Sequence, residues 1–332
     1  MKNLNKKLGI IALSSIKGIG PAFIKKSLQE TSFQSSSILD DILILLKANN
    51  KNIDNETILT GINIATKIVN ECTKEDIFII EISDQDYPSQ LKEIKDPPPI
   101  LFCKGNLALL RHKTICIIGT RAPNKNGAVI AQKTGANYSS FGFAICNGLA
   151  AGIDSCAIKT TSDFHKNVIG VLAGGLNFNS GSTLLKVIAK NAAGVLENGG
   201  LVISEYPPNK KEDTFSVVKS CRIQAGISQG LILVQSSLSG GSRFTVKAYC
   251  ETSRPIAVIK PVLSDYDLLT YEANKEILEK GIKGLSKFTE LKDEKILTKE
   301  IFAIKTKEDF SKFEEIVRNK EKNSDKAELT LF

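Results

Sequence analysis

Between residues 115 and 260 the chain passes through six short apolar stretches: Ile115 to Ile118, Phe143 to Cys146, Val168 to Leu172, Leu201 to Ile203, Leu231 to Val234 and Ile256 to Ile259. Helical stretches separate them. None alternates polar with apolar residues, so a strand built from any of them is buried on both faces and needs helices on both sides. The pattern predicts a doubly wound α/β domain around a mostly parallel sheet. Several runs end in glycine or a small residue: Gly119 after the first, Asn147-Gly148 after the second, Ala173-Gly174-Gly175 after the third. In open α/β sheets, ligands gather outside the carboxyl ends of the strands, where tight loops become helix N-termini that favour anions. A phosphate-bearing ligand is expected there.

The first 75 residues differ in character. Apolar residues recur at helical spacing (Leu13, Ile16; Phe23, Ile24, Leu28; Ile38 to Leu46; Ile58 to Val69), which predicts a small all-helical unit. The opening MKNLNKKLGIIALSS is basic then apolar, but Lys17 ends the apolar stretch and no small-residue cleavage site follows. It reads as the first helix. Within the unit, Ile16-Lys17-Gly18-Ile19-Gly20-Pro21, with Lys25 one turn on, resembles a helix-hairpin-helix. In that motif, glycines let backbone amides at a helix N-terminus approach a DNA phosphate. The competing reading is a turn tightened between packed helices. After Pro261 the sequence turns to Lys, Glu and Asn with scattered apolar residues such as Ile277, Leu278, Phe313, Ile316 and Val317. One or two helices and a mobile end are expected. The division is therefore 1–75 helical, 76–265 sheet domain and 266–332 a charged, partly helical tail.

Composition narrows the function. No apolar run reaches the length of a membrane-spanning helix, so no membrane partner is expected. Seven scattered cysteines without a C-x-x-C pair fit reduced thiols and a cytoplasmic setting. With only two histidines, His112 and His165, both expected at the surface, neither a metal centre nor a catalytic triad is foreseen. The net charge is +8, and residues 115–270 hold 15 basic against 9 acidic residues. Such a surplus in one domain suggests an anionic partner. No G-x-x-x-x-G-K-[ST] occurs, and neither a G-x-G-x-x-G nor a G-x-S-x-G elbow follows any of the apolar runs. The lone carboxylates Asp154 and Glu205 read as capping or ion-pairing groups, so no catalytic residue and no cofactor is predicted.

Four ordered segments resemble the DNA-processing protein family DprA (Smf). Tyr87-Pro88-x-x-Leu91 followed by Asp96-Pro97-Pro98-Pro99 resembles the family's lead-in to its sheet domain. Ile118-Gly119-Thr120-Arg121 resembles its Gly-Ser-Arg loop, and Gly148-Leu149-Ala150-Ala151-Gly152-Ile153-Asp154 its Gly-Leu-Ala-Arg-Gly-Ile-Asp loop. Ser204-Glu205-Tyr206-Pro207-Pro208, Arg222 to Ser228, and Gly241-Ser242 with Thr245 complete the series. The resemblance implies a SAM- or helix-hairpin-helix-like domain joined to an extended Rossmann-like domain. It also implies single-stranded DNA binding, homodimers, loading of RecA recombinase, a role in DNA uptake and recombination during natural transformation, and no catalysed reaction.

The chain departs from the family where positive charge sits. Ala151 replaces an arginine, Ile158 a histidine and Gln235 a glutamate, while Val217-Val218-Lys219-Ser220-Cys221-Arg222 keeps only the last arginine of its segment. The phosphate-gripping set expected is Gly119, Thr120, Arg121, Gly148, Gly152, Gly174, Lys219, Arg222, Gly241, Ser242, Thr245, Arg243 and Lys247, the last two offered as replacements for lost charge. Phe178 and Tyr206 are the candidates for base stacking. The rival reading is a Rossmann-like sensor or enzyme for a free nucleotide, and a third is a scaffold keeping only the dimer surface. Finally, Glu328-Leu329-Thr330-Leu331-Phe332 resembles the Gln-Leu-x-Leu-Phe peptide by which bacterial DNA-handling proteins hold the sliding clamp. Leu329, Leu331 and Phe332 either fill clamp pockets or fold back on their own domain.

Overall fold

The computed structural model describes residues 2–30, 33, 37–180 and 182–329. Four helices come first, α1 (Lys2–Ser14), α2 (Pro21–Glu30), α3 (Ile38–Ala48) and α4 (Asn55–Lys74). Side-chain caps start two of them: Ser37 Oγ accepts from Asp40 N and Asp54 from Thr57 N. Between α1 and α2, Gly18 takes φ +87°, a left-handed conformation that glycine adopts without strain, while Ile16 and Ile19 on either side are buried. The unit is fastened to the rest of the chain by cations on its first two helices. Lys6 pairs with buried Glu81 at 2.8 Å, and the ammonium groups of Lys7 and Lys25 donate to the carbonyls of Ile79 and Lys92.

Among the described residues the sheet has nine strands: β1 (Phe78–Glu81), β2 (Ile100–Gly105), β3 (Thr114–Ile118), β4 (Ala144–Asn147), β5 (Val168–Val171), β6 (Leu201–Ser204), β7 (Gly230–Leu233), β8 (Ile256–Ile259) and β9 (Ile301–Ile304). Their spatial order is β1-β2-β6-β5-β4-β3-β7-β8-β9. From β6 to β9 every pairing is parallel, and β1 and β2 are added antiparallel at one edge. The six apolar runs are the six central strands, and burial on both faces is met: Ile115 and Ile117 face one core, Cys116 and Ile118 another.

Among the described residues, nine further helices follow the first four. These are α5 (Ser89–Lys92), α6 (Lys125–Ser140), α7 (Ile153–Ala157), α8 (Lys186–Glu197), α9 (Thr214–Ile227), α10 (Arg243–Cys250), α11 (Glu272–Lys280), α12 (Ile282–Thr289) and α13 (Asp309–Leu329). Residues of α6, α8 and α13 share a core with α1 to α4 on one face, and α9 to α12 cover the other. The sequence order runs outward from β3 in both directions, β4-β5-β6 one way and β7-β8 the other. That reversal opens a crevice between the loops leaving β3 and β7, where ligands of such sheets sit.

Three features depart from the sequence reading. Strands β1, β2 and β9 were not expected. The first two form an antiparallel edge, outside the parallel pattern that marks the centre. The region after residue 265 is more than a partly helical tail: β9, only four residues long and flanked by Lys and Glu, pairs in register with β8, Ile256 opposite Ile301. Helix α13 then packs back on the sheet, with Phe313 fully buried and stacked on Phe302 at a centroid distance of 5.8 Å. Tyr138 Oη in α6 donates to the Phe310 carbonyl at 3.1 Å. His165 is buried rather than exposed, and burial lowers its pKa; His112 is exposed as expected. Of the clamp-like peptide, Leu329 ends α13, while Leu331 and Phe332 lie outside the described residues.

Because Phe313 closes the core beneath β9, Phe313→Ala should lower the unfolding free energy by roughly 3–5 kcal/mol in a denaturant titration. A loss below about 1 kcal/mol would show that α13 lies on the domain without supporting it.

Candidate nucleic-acid interface

A cleft of about 660 Å³ opens at the carboxyl ends of β3, β4, β5 and β7. Its shape comes from backbone close approaches. A Cβ on Gly152, whose φ is +82°, would stand 2.3 Å from the Thr120 carbonyl, and a Cβ on Gly119 would stand 2.8 Å from that of Gln235. Only glycine lets these loops touch. The contact is sealed by Thr120 N donating to Gln235 O at 2.7 Å and Ile153 N donating to Thr120 O at 3.1 Å. Asn147, fully buried at the end of β4, donates to the Ile117 and Asp154 carbonyls and accepts from Leu149 N. The glutamine at 235 is structural: its amide donates to Asn124 and Thr270, and its oxygen accepts from Asn124 N.

The structure brings seven of the expected residues to this cleft: Gly119, Thr120, Arg121, Gly148, Gly241, Ser242 and Thr245. Gly152 and Gly174 lie behind it as spacers, Gly174 packing against the Thr183 carbonyl. The remaining cations are elsewhere. Arg222 holds Glu205 through two bonds, Nη1 to Oε1 at 2.6 Å and Nη2 to Oε2 at 2.8 Å, and its Nε donates to the Asp96 carbonyl at 2.8 Å. Burial opposes charge on that guanidinium, yet Glu205 and Asp96 overcome it and raise its pKa. Lys219 adds a contact to Glu205 at 3.3 Å. These groups clamp α9 to the end of β6 and to the proline-rich lead-in, whose Pro98 carbonyl accepts from buried Tyr87. Arg243 pairs with Glu290 at 2.8 Å and lies over the Phe244 ring, and Lys247 does not line the cleft either. In the hairpin, Gly18 and Gly20 have open space around them, whereas Lys25 is engaged with Lys92. Phe178 is in the core, and Tyr206 lines a separate cleft of about 290 Å³ between α1, α2 and the sheet.

Among the described residues the strand-end cleft is therefore lined by one cation, Arg121, and three carboxylates, Asp154, Glu212 and Asp213. Two of the acids serve the backbone. Asp213 caps α9 and pairs with Lys210, which holds its pKa at about 2, and Glu212 accepts from Leu185 N at 2.5 Å. Asp154 is different. Burial pushes its pKa up to about 7, against the pull of the Ala150 and Gly148 amides and of Arg121. Its Oδ2 accepts from Gly148 N at 3.1 Å, so that amide is spent within the loop. At the start of α10 the amides of Gly241 and Ser242 make no hydrogen bond among the described residues, and Ser242 Oγ meets Ser236 Oγ at 2.7 Å. Much of the rest of the lining is apolar, with Val171, Leu185, Ile188, Val217, Val218 and Phe244, and Thr214, Ser220 and Gln224 add polar side chains. This apolar wall was missed in sequence, because its members come from four separate elements.

Fold and cleft together define a Rossmann-like α/β protein whose candidate site lies at the strand-order reversal. The model of the DNA recombination-mediator protein A family matches residues 61–294, and the chain belongs to that family. It is 32% identical over 193 residues to DNA processing protein DprA of Bacillus subtilis, covering 58% of this chain and 63% of the relative. It is also 32% identical over 184 residues to DprA of Streptococcus pneumoniae, covering 55% and 63%. The chain thus spans less than two thirds of the length of these relatives. Among solved structures, DprA of S. pneumoniae superposes with a TM-score of 0.65 at 25% identity, over 85% of this chain and 94% of that one. DNA processing protein A of Helicobacter pylori gives 0.54 at 24% identity, over 62% and 88%.

The raised pKa of Asp154 has a measurable consequence. An acid that ionises near 4 when unfolded and near 7 when folded stabilises the fold below the lower value, and that contribution is lost as pH rises through the upper one. Asp154→Asn should remove the loss, so the melting-temperature difference, variant minus wild type, should grow between pH 4 and pH 7. Parallel pH profiles would place the Asp154 pKa in the ordinary range.

Proposed function

We propose that this protein binds single-stranded DNA without strong sequence preference at the strand-end cleft and acts in DNA uptake and recombination by binding rather than by catalysis. The observation that carries the reading is the meeting of Arg121 with the free Gly241 and Ser242 amides at the start of α10, in one cleft, in a member of this family. A phosphate there accepts from backbone and guanidinium together. The H. pylori relative is described as binding single-stranded DNA. RecA is the partner that the family's mediator role supports, and the residues around Leu329, Leu331 and Phe332 are our candidate for a sliding-clamp contact. The single lining cation favours a second reading, in which the cleft holds a free nucleotide. One phosphate needs less charge than a strand does.

A titration of oligo-dT, duplex DNA and mononucleotide against salt separates the two. Oligo-dT should bind most tightly, and Arg121→Ala should weaken it severalfold and lower the salt slope by about one. Mononucleotide binding without oligo-dT binding would establish the second reading instead, and an unchanged slope would take Arg121 out of the interface.

Homodimerisation belongs to the same proposal. After β8 the chain presents an apolar surface, with Leu263 96% and Leu269 72% exposed beside the partly exposed Val262, Tyr266 and Leu268. A patch of this kind on a folded domain marks an interaction surface. Asp265, accepting from Asn124 and Asn126, fixes the segment to the start of α6. Sedimentation should give a dimer that Leu263→Glu with Leu269→Glu converts to monomer without a change in melting temperature. A wild-type monomer at micromolar concentration would overturn it.

A further inference from the structure

We infer that Glu290 is a carboxylate latch on the strand-end cleft, holding the Arg243 guanidinium at the lip until a strand's phosphate takes its place. The inference rests on the DNA-binding reading above and deepens it by naming how that site is regulated. Arg243 sits among lining residues: Gly241, Ser242, Phe244 and Thr245 all line the cleft, and its guanidinium lies 4.9 Å from the centre of the Phe244 ring. The charge is already at the rim. Its side chain makes one hydrogen bond among the described residues, Nη1 to Glu290 Oε1 at 2.8 Å, and the two side chains are 31% and 67% exposed. The Arg222–Glu205 pair, doubly bonded and 15% and 6% exposed, is of another kind, since Glu205 could not be left there without a partner. An exposed pair with one bond contributes little in water and is screened by salt, so a phosphate can displace Glu290, whose charge then stays solvated.

Glu290 is also an unusual residue for its place. It ends α12 with φ +59° and ψ +26°, the left-handed conformation that helix ends ordinarily give to glycine or asparagine. Its neighbours hold it there: Leu291 is buried in the core that α10 and α12 share, and Ser286 Oγ donates to the Leu291 carbonyl at 2.6 Å. Backbone strain of this kind persists only where the surroundings impose it, and the contact that the strained residue makes in return is the one to Arg243. Carboxylate and phosphate oxygens compete for the same guanidinium donors. A phosphate at the Gly241 and Ser242 amides stands next to Arg243 in the chain. Taking that guanidinium from Glu290 gives the strand a second cation in a cleft where, among the described residues, Arg121 is the one lining cation.

The test is a double-mutant cycle on the full chain, read by fluorescence anisotropy of oligo-dT across a salt series. Glu290→Gln, which keeps the shape and removes the charge, should tighten binding about threefold. Arg243→Ala should weaken it by a similar factor and lower the salt slope by about one, and Glu290→Gln should change nothing once Arg243 is gone. Tightening by Glu290→Gln that persists beside Arg243→Ala would make Glu290 a plain repulsive charge and overturn the latch, as would unchanged affinity in either single variant. Both results leave the DNA-binding reading intact, whereas no wild-type binding of oligo-dT would overturn both. Nuclear magnetic resonance of the wild type guards against a variant that folds poorly. The Arg243 Nε–Hε signal should shift as oligo-dT is added, and a signal that stays fixed at saturation would show that the guanidinium never leaves Glu290.

Discussion

The approach of the loop after β4 to the loop after β3 governs the rest of this structure. A Cβ on Gly152 would stand 2.3 Å from the Thr120 carbonyl and one on Gly119 2.8 Å from that of Gln235, and with Thr120 N bound to the Gln235 carbonyl, the ends of β3, β4 and β7 are locked at one distance. That distance sets the width of the cleft and the places of Arg121 and Asp154 within it. Larger residues at either glycine would separate the loops and dissolve the site, even with every strand intact.

Charge in this protein is spent on holding elements together more than on a ligand. Arg222 and Lys219 both go to Glu205, Lys6 to Glu81, and Arg243 to Glu290. The Arg222–Glu205 pair is largely buried, and removing one partner of such a pair costs about 3–5 kcal/mol because the other charge is left uncompensated. These arginines and lysines are thus tied to the scaffold, and the strand-end cleft keeps an apolar wall and, among the described residues, Arg121 as its one lining cation.

The centre of the fold was legible because parallel strands covered on both faces leave an unmistakable apolar run, and the loop positions followed from the glycines closing each run. The edges were not. At β1, β2 and β9 the sheet ends, pairing rules change and short strands merge with charged flanks, as in Lys299-Glu300 before Ile301. Site residues were partly legible. Gly119, Arg121, Gly148 and Gly241 meet because strand ends meet, whereas the destinations of Arg222, Lys219 and Arg243 depend on acidic partners distant in sequence, Arg243 and Glu290 being 47 residues apart.

The return of the chain at β9 and α13 also fixes an order of assembly. Strand β8 presents an open edge until residues 301–304 arrive, and Tyr138 finds its acceptor only at Phe310, 172 positions later. On the ribosome, the central strands therefore emerge long before the segments that close one edge and one face of their sheet. Contacts of such sequence separation form slowly. The nascent protein spends that interval with an unpaired strand edge exposed, the geometry that invites pairing with another chain.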